Sequence, residues 1–181
     1  KTMTDIQEET QTLSERERSR DLSVIRLFLQ RLAIFVVGMI ILFVILFKIT
    51  VVPSDDMKPA LRIGDLELVY CLPAARRPGQ VVYYEKDGEK RNGRIVAVAG
   101  DTVEVKHDKL YINGNVTTSD NIYFDTPAYE GDVTYPITLK DGEYFVLSDY
   151  RLGASDSRNL GPVKEDEIIG NVITVMRRSQ I

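Results

Sequence analysis

The pattern of hydrophobic and polar positions changes twice along this chain. A charged, polar opening stretch gives way to Leu32–Phe47, LAIFVVGMIILFVILF, sixteen residues without a charge, a proline or a polar side chain. Lys48 interrupts the run and Ile49-Thr50-Val51-Val52 resumes it, so Leu32–Val52 supplies 21 positions. That is close to the ~20 residues that span a bilayer, and a lysine near the end of such a helix snorkels to the headgroups. A secretory leader has a shorter apolar core of about 7–15 residues and a small-x-small cleavage pattern, which is missing after this run. The pattern predicts an uncleaved transmembrane helix.

Beyond Pro53 the apolar runs become short and are punctuated by Gly, Pro and Asn-Gly. Leu66–Cys71, Val81–Glu85, Arg94–Ala99, Thr102–Lys106, Lys109–Ile112, Tyr144–Ser148 and Asn171–Arg177 read as strands rich in Val, Ile and Tyr. Asn113-Gly114 predicts a hairpin, because both central positions of a type I′ turn need φ > 0. Ser119–Pro136 carries the least pattern and reads as a long loop or flap. No segment after Pro53 sustains a helical period over three turns. The predicted fold is mainly β, one N-terminal transmembrane helix followed by an all-β outer domain. Its divisions are a cytoplasmic tail at 1–31, the span at 32–52 and the outer domain at 53–181.

Charge sets the orientation. Arg16, Arg18, Arg20, Arg26 and Arg31 precede the span, whereas Lys58 and Arg62 are the comparable pair after it. The positive-inside bias places the N-terminus in the cytoplasm and the outer domain outside the cell, on a single-pass protein of the cell membrane. The tail, with six basic and six acidic residues, reads as a solvated segment that sets topology. The outer domain contains 16 Lys/Arg and 21 Asp/Glu. That acidic balance argues against a nucleic-acid partner, which would bring a clustered basic face. Cys71 is the only cysteine and His107 the only histidine, which excludes a disulfide framework, a zinc cage and two-histidine chemistry within one chain. No cofactor or metal is expected, and His107, in the charged run Lys106–Lys109, reads as exposed.

Three segments carry a resemblance. They are Pro53-Ser54-Asp55-Asp56-Met57-Lys58-Pro59-Ala60-Leu61 with Gly64-Asp65; Gly93-Arg94-Ile95-Val96-Ala97-Val98-Ala99-Gly100-Asp101; and Ser148-Asp149-Tyr150-Arg151-Leu152-Gly153-Ala154-Ser155-Asp156-Ser157-Arg158 with Gly161. In order and internal spacing they resemble the boxes of the type I signal peptidases, membrane-bound serine-lysine proteases of the S26 fold that remove signal peptides from exported proteins. The resemblance places the family's nucleophilic serine on Asp56, its general-base lysine on Gly93 and the serine that orients that lysine on Ala154. It implies that Ser54, Asp55, Asp56, Met57 and Pro59 contact an extended peptide, and that Arg94, Asp149, Arg151, Asp156, Ser157 and Arg158 form the scaffold of the site. Lys90 does not replace the lysine, because a three-residue slip along a strand moves a side chain about 10 Å and onto the opposite face.

On that mapping, serine-lysine catalysis has lost its parts. Gly93 has no amine, Asp56 has no hydroxyl, and a carboxylate beside the developing oxyanion opposes the charge that donors there would stabilise. Asp55 and Asp56 do not make an aspartic dyad, since neighbours in an extended segment point to opposite faces. Asp56 with Asp149 or Asp156 makes no cation site where the resemblance gives both of those aspartates arginine partners. Ser54 as a relocated nucleophile lacks a base. The expectation is therefore a catalytically inactive signal-peptidase-like protein, not an enzyme. It would serve as a membrane-bound chaperone or assembly factor for exported surface proteins. An active peptidase with non-standard residues and a signal-peptide-binding regulator are the alternatives. The Asp and Gly replacements resemble those of the signal-peptidase-like proteins of streptococcal pilus loci, and from that resemblance alone the expected partners are pilin subunits and a pilus sortase, beside the bilayer. Met57, Leu61, Ile63 and Leu66 are expected either to face the bilayer or to fill the core.

Overall fold

The computed structural model describes residues 3–117, 125–129 and 133–177, with side chains described from Val24 onward. The chain divides into two compact units, residues 1–45 and Leu46–Ile181. The first is a helix. α1 runs over Met3–Leu46, and its stretch Val24–Leu46 has a mean hydropathy of 2.6 and contains no buried residue. At 1.5 Å per residue these 23 residues reach about 35 Å, enough to cross a hydrocarbon core of about 30 Å. This candidate membrane anchor starts and stops earlier than the span predicted at Leu32–Val52. The helical backbone continues back to Met3, where a solvated tail was expected. At the other end the helix stops at Leu46, and Phe47–Val51 forms strand β1.

The second unit is mostly β. β1 is followed by β2 (Leu66–Tyr70), β3 (Val81–Lys86), β4 (Glu89–Ala97), β5 (Thr102–Lys106), β6 (Lys109–Ile112), β7 (Asn115–Val116), β8 (Ile137–Thr138), β9 (Glu143–Leu147), the one-turn helix α2 (Ser157–Leu160), β10 (Val163–Lys164) and β11 (Ile168–Met176). One sheet has the order β1-β2-β11-β3-β4-β9-β10 and a second the order β7-β6-β5-β8. All pairings are antiparallel. The turn Asn113-Gly114 has φ of 52° and 80°, the two positive values a type I′ turn needs. Asp87-Gly88 makes the same kind of turn, with φ of 54° and 79°. Lys90 therefore lies in β4 opposite Glu85, not in the turn that the polar run Asp87–Asn92 suggests. His107 is itself part of the β5–β6 turn and is exposed.

The seven-stranded sheet is strongly curled. Asn92 on β4 donates to Glu67 on β2 at 2.7 Å, although two strands lie between them. Three strand spacings in a flat sheet amount to about 14 Å, so only curvature brings these side chains together. The concave face holds Val52, Met57, Leu61, Val81 and Val175. The other face holds Val82, Tyr84, Ile95, Val146, Val163 and Ile168. A third cluster, including Val103, Val105, Leu110, Phe145 and Leu147, joins the two sheets. Of the four residues with two expected fates, Met57 and Leu61 are core, whereas Ile63 and Leu66 are 60% and 41% exposed.

Candidate functional site

The first box follows β1 directly. Val52 is fixed by a pair of backbone hydrogen bonds, its N–H donating to the Asp65 carbonyl and its own carbonyl accepting from Gly64 N–H. Met57 is buried against Val52 and Leu61, and its Sδ accepts from the Asp149 N–H at 3.4 Å. Tyr150 N–H donates to the Asp56 carbonyl at 2.8 Å, which ties the first box to the third. Between these anchors Ser54, Asp55 and Asp56 are half-buried, and Pro59 is exposed.

The carboxylates of this box part company. Asp55 turns to Lys58 at 2.7 Å and accepts from Ile63 N–H at 3.0 Å. Lys58, then the Ile63 N–H, hold its carboxyl below the usual range. Asp56 turns the other way and accepts a hydrogen bond from the Ser54 hydroxyl at 2.8 Å. The Ser54 hydroxyl therefore has a carboxylate hydrogen-bond acceptor within the same box. The contact is a local one at the start of a turn: Asp55 lies in a bend, Asp56 in the turn that follows, and Asp56 N–H points back to the Ser54 hydroxyl at 3.4 Å.

Gly93 sits in β4 opposite Val82, on the face that carries Ile95. A Cβ there would stand 2.4 Å from Val146 Cγ1 and 3.3 Å from Tyr84 Cε1. The position takes no side chain, an amine included, unless Val146 moves. Burial, with Asp156 as a lesser cause, pushes the Tyr84 hydroxyl well above the usual tyrosine range, so it stays neutral. Ala154 is buried.

The remaining boxes supply two ion pairs. Arg94 holds Asp149 through two hydrogen bonds of 2.8 and 2.6 Å and also reaches the Gly79 carbonyl. The Asp149 hydrogen bonds in turn raise the Arg94 pKa. Arg158 and Asp156 form a second two-bond pair at 2.9 Å with both side chains fully buried. Asp156 also caps α2 by accepting from Arg158 N–H, and accepts from Ser148 N–H. Ser157 Oγ accepts from Val146 N–H. Arg151 is buried and donates to the Ser148 carbonyl and to Thr126 Oγ1 at 2.7 Å. Burial pushes its guanidinium down to about 10, which leaves it charged at neutral pH. Tyr129 packs under Arg158, 4.5 Å from the guanidinium, and its hydroxyl bridges the Arg151 carbonyl and Gly153 N–H. These two arginines and one tyrosine clamp 125–129 onto the third box. Of the predicted loop Ser119–Pro136, 119–124 and 130–132 lie outside the described residues.

Asp149 and Asp156 are each engaged by an arginine, and among the described residues no cluster of His, Cys, Asp or Glu has the arrangement of a metal site. A hollow of about 410 Å³ lined by Lys140–Glu143 and Lys164–Asp166 contains none of the predicted site residues. Cys71 is half-buried and is not in a disulfide.

Two curated relatives are informative. Signal peptidase IB of Staphylococcus aureus is 29% identical, covering 76% of this chain and 85% of its own length. Signal peptidase I of Bacillus amyloliquefaciens is also 29% identical, covering 87% and 90%. A crystal structure of a signal peptidase I from Enterococcus faecalis aligns with 57% of this chain and all of its own, with 26% identity and a TM-score of 0.48. The names of the two curated relatives overturn the expectation of an inactive pilus-assembly factor. The relatives are named as peptidases, which are enzymes, and none is named for pilus assembly. Ser54 remains a hydroxyl of the first box, hydrogen-bonded to Asp56, so the mapping of Asp56 and Gly93 does not by itself exclude hydrolysis. The family model for signal peptidase, peptidase S26, matches residues 24–177, and the chain belongs to that family.

Proposed function

We propose that this protein is a membrane-anchored signal peptidase with a non-standard site, in which Ser54 is the nucleophile and Asp56 its proton acceptor. The observation that carries the reading is the 2.8 Å hydrogen bond from the Ser54 hydroxyl to the Asp56 carboxylate, beside a main chain held by Val52 and Tyr150. Ser54 Oγ attacks the scissile carbonyl while its proton passes to Asp56. Asp56 then gives that proton to the departing amine, leaving an acyl-serine. Water attacks the ester with Asp56 again taking the proton, which releases the acid and restores the serine. A carboxylate is a weaker base than an imidazole or a neutral amine, and general-base efficiency is greatest when the pKa lies near the working pH. Turnover is therefore expected to be slow.

The substrate is the extended segment that follows the apolar helix of an exported precursor, presented at the outer face of the membrane. α1 anchors the chain, with its N-terminus cytoplasmic. The exposed Ile49, Val51, Ile63, Leu66 and Met176 support a bilayer-facing surface on the β domain. Pilin precursors are the exported substrates to try first, with a pilus sortase as the enzyme that receives the processed subunit.

The test is cleavage of a full preprotein by the full-length protein in lipid, followed over hours beside Ser54→Ala and Asp56→Ala. Product lost in both variants supports the assignment. Product that survives Ser54→Ala removes the nucleophile from this residue. Binding of the preprotein without product above the no-protein control refutes hydrolysis and leaves a signal-peptide-binding site.

A further inference from the structure

Glu67 lies on the concave face of the curled sheet and is 0% exposed. The side chains paired with it are uncharged, and the charged residues that share its face, Lys48 on β1 and Asp65 before β2, stand two positions along their strands. Thr50 on β1 and Val175 on β11 stand directly opposite it, and Asn92 on β4 reaches it across the curl. Tyr83 on β3 pairs with Asn92 and accepts from the Thr50 hydroxyl at 3.4 Å. Arg94, two residues along β4, is committed to Asp149 and the Gly79 carbonyl.

The hydrogen bonding inside this pocket is incomplete in one specific way. Asn92 Nδ2 donates to Glu67 Oε2, yet Glu67 Oε1 and Asn92 Oδ1 are both buried without a partner. Both are acceptors if the carboxyl is ionised, and a buried acceptor without a donor costs about 1–3 kcal/mol. One proton resolves both. A carboxylic acid and a primary amide close a ring in which each donates once and accepts once.

We propose that Glu67 and Asn92 form a proton-gated latch: protonated, Glu67 donates to the Asn92 carbonyl and ties β2 to β4 by two hydrogen bonds, and ionised, it keeps only the Asn92 N–H bond and loosens β4 next to Gly93 and Arg94. Burial raises the Glu67 pKa from 4.5 to about 7, with the Asn92 hydrogen bond opposing that rise. The pair thus responds at neutral pH, where a surface carboxylate would not. The sign follows from linkage. Between about pH 4.5 and 7 the folded chain holds a proton that the unfolded chain has lost, so stability falls as pH rises through that window and is level above it. The unfolding equilibrium shifts by up to tenfold per pH unit there. The latch does not depend on how the site performs its chemistry.

The experiment uses the full chain in detergent micelles, with ¹³C-labelled glutamate and the Glu67 carboxyl resonance assigned by its loss in Glu67→Gln. That variant replaces the acid O–H by an amide N–H and keeps both hydrogen bonds at every pH. The expected result is a Glu67 titration near neutrality, together with backbone exchange at Gly93 and Arg94 that, after correction for intrinsic rates, speeds up from pH 6 to pH 8 in the native protein but not in Glu67→Gln. Titration of Glu67 in the ordinary carboxylate range would overturn the proposal whether or not the variant folds. So would the same pH response of β4 in both proteins.

Discussion

Gly93→Ala tests the packing that closes the second box. The added Cβ meets Val146 Cγ1 at 2.4 Å, well inside contact, and Val146 is itself fully buried. A β-branched side chain has little rotamer freedom with which to yield, and the second obstacle, Tyr84 Cε1 at 3.3 Å, belongs to a buried ring. Overpacking of this kind costs about 1–3 kcal/mol. Val146→Ala removes two buried methyl groups, worth about 1.6 kcal/mol at ~0.8 kcal/mol each before any cavity cost. In the double variant the new methyl occupies the space the old ones left. The pair should therefore be less destabilised than the sum of the single changes by about 1–2 kcal/mol, a coupling within the range for residues in contact. The assay is urea unfolding of the four proteins in the same micelles, with the slopes compared so that free energies come from one transition. Gly93→Ala within 0.5 kcal/mol of the native chain, or a cycle without positive coupling, would refute the reasoning. A confirmed clash means that Gly93→Lys adds an amine only together with a smaller residue at 146.

Asp156→Ala should destabilise the domain by about 3–5 kcal/mol in the same assay, because it strands the fully buried Arg158 guanidinium without its counter-charge. Asp156→Asn should be milder, since its one carbonyl oxygen still accepts from either Ser148 N–H or Arg158 N–H, which bond different oxygens of the carboxylate. Tyr129→Phe should cost about 1 kcal/mol through the lost bridge between the Arg151 carbonyl and Gly153 N–H. Limited proteolysis should then cut sooner within 125–129 than in the native chain.

The strands that show in the sequence are those whose Val, Ile and Tyr runs end at a Gly, Pro or Asn-Gly. β5 and β6 fall on their predicted residues, and β2, β3 and β9 differ from theirs by a residue at one or both ends. β1 stayed hidden because its residues continue the apolar run of α1 without a break, so composition merges two elements that hydrogen bonding separates. The first half of β4 stayed hidden for the opposite reason. Glu89–Asn92 is polar enough to read as a turn, and only its pairing with Tyr83–Lys86 makes it a strand. β7, β8 and β10 are two residues each, too short for any period to register. At the site, the Ser54–Asp56 contact depends on the turn at 55–60, which no alternation along the chain announces. The Glu67–Asn92 contact was hidden too, because it depends on the curvature of a finished sheet.

The place of β11 bears on how the domain is made. Ile168–Met176 runs between β2 and β3, in the middle of the larger sheet. Until those residues arrive, β2 and β3 have nothing between them, and the concave face that Val175 helps to fill stays open. A chain delivered from its N-terminus, whether by the ribosome or through a translocation pore, can pair β1 with β2 and β3 with β4, but it cannot join those two pairs until Ile168–Met176 has emerged. Pairing over such long sequence separations is slow. The larger sheet is therefore closed late, by one strand that joins two pairs already free to form.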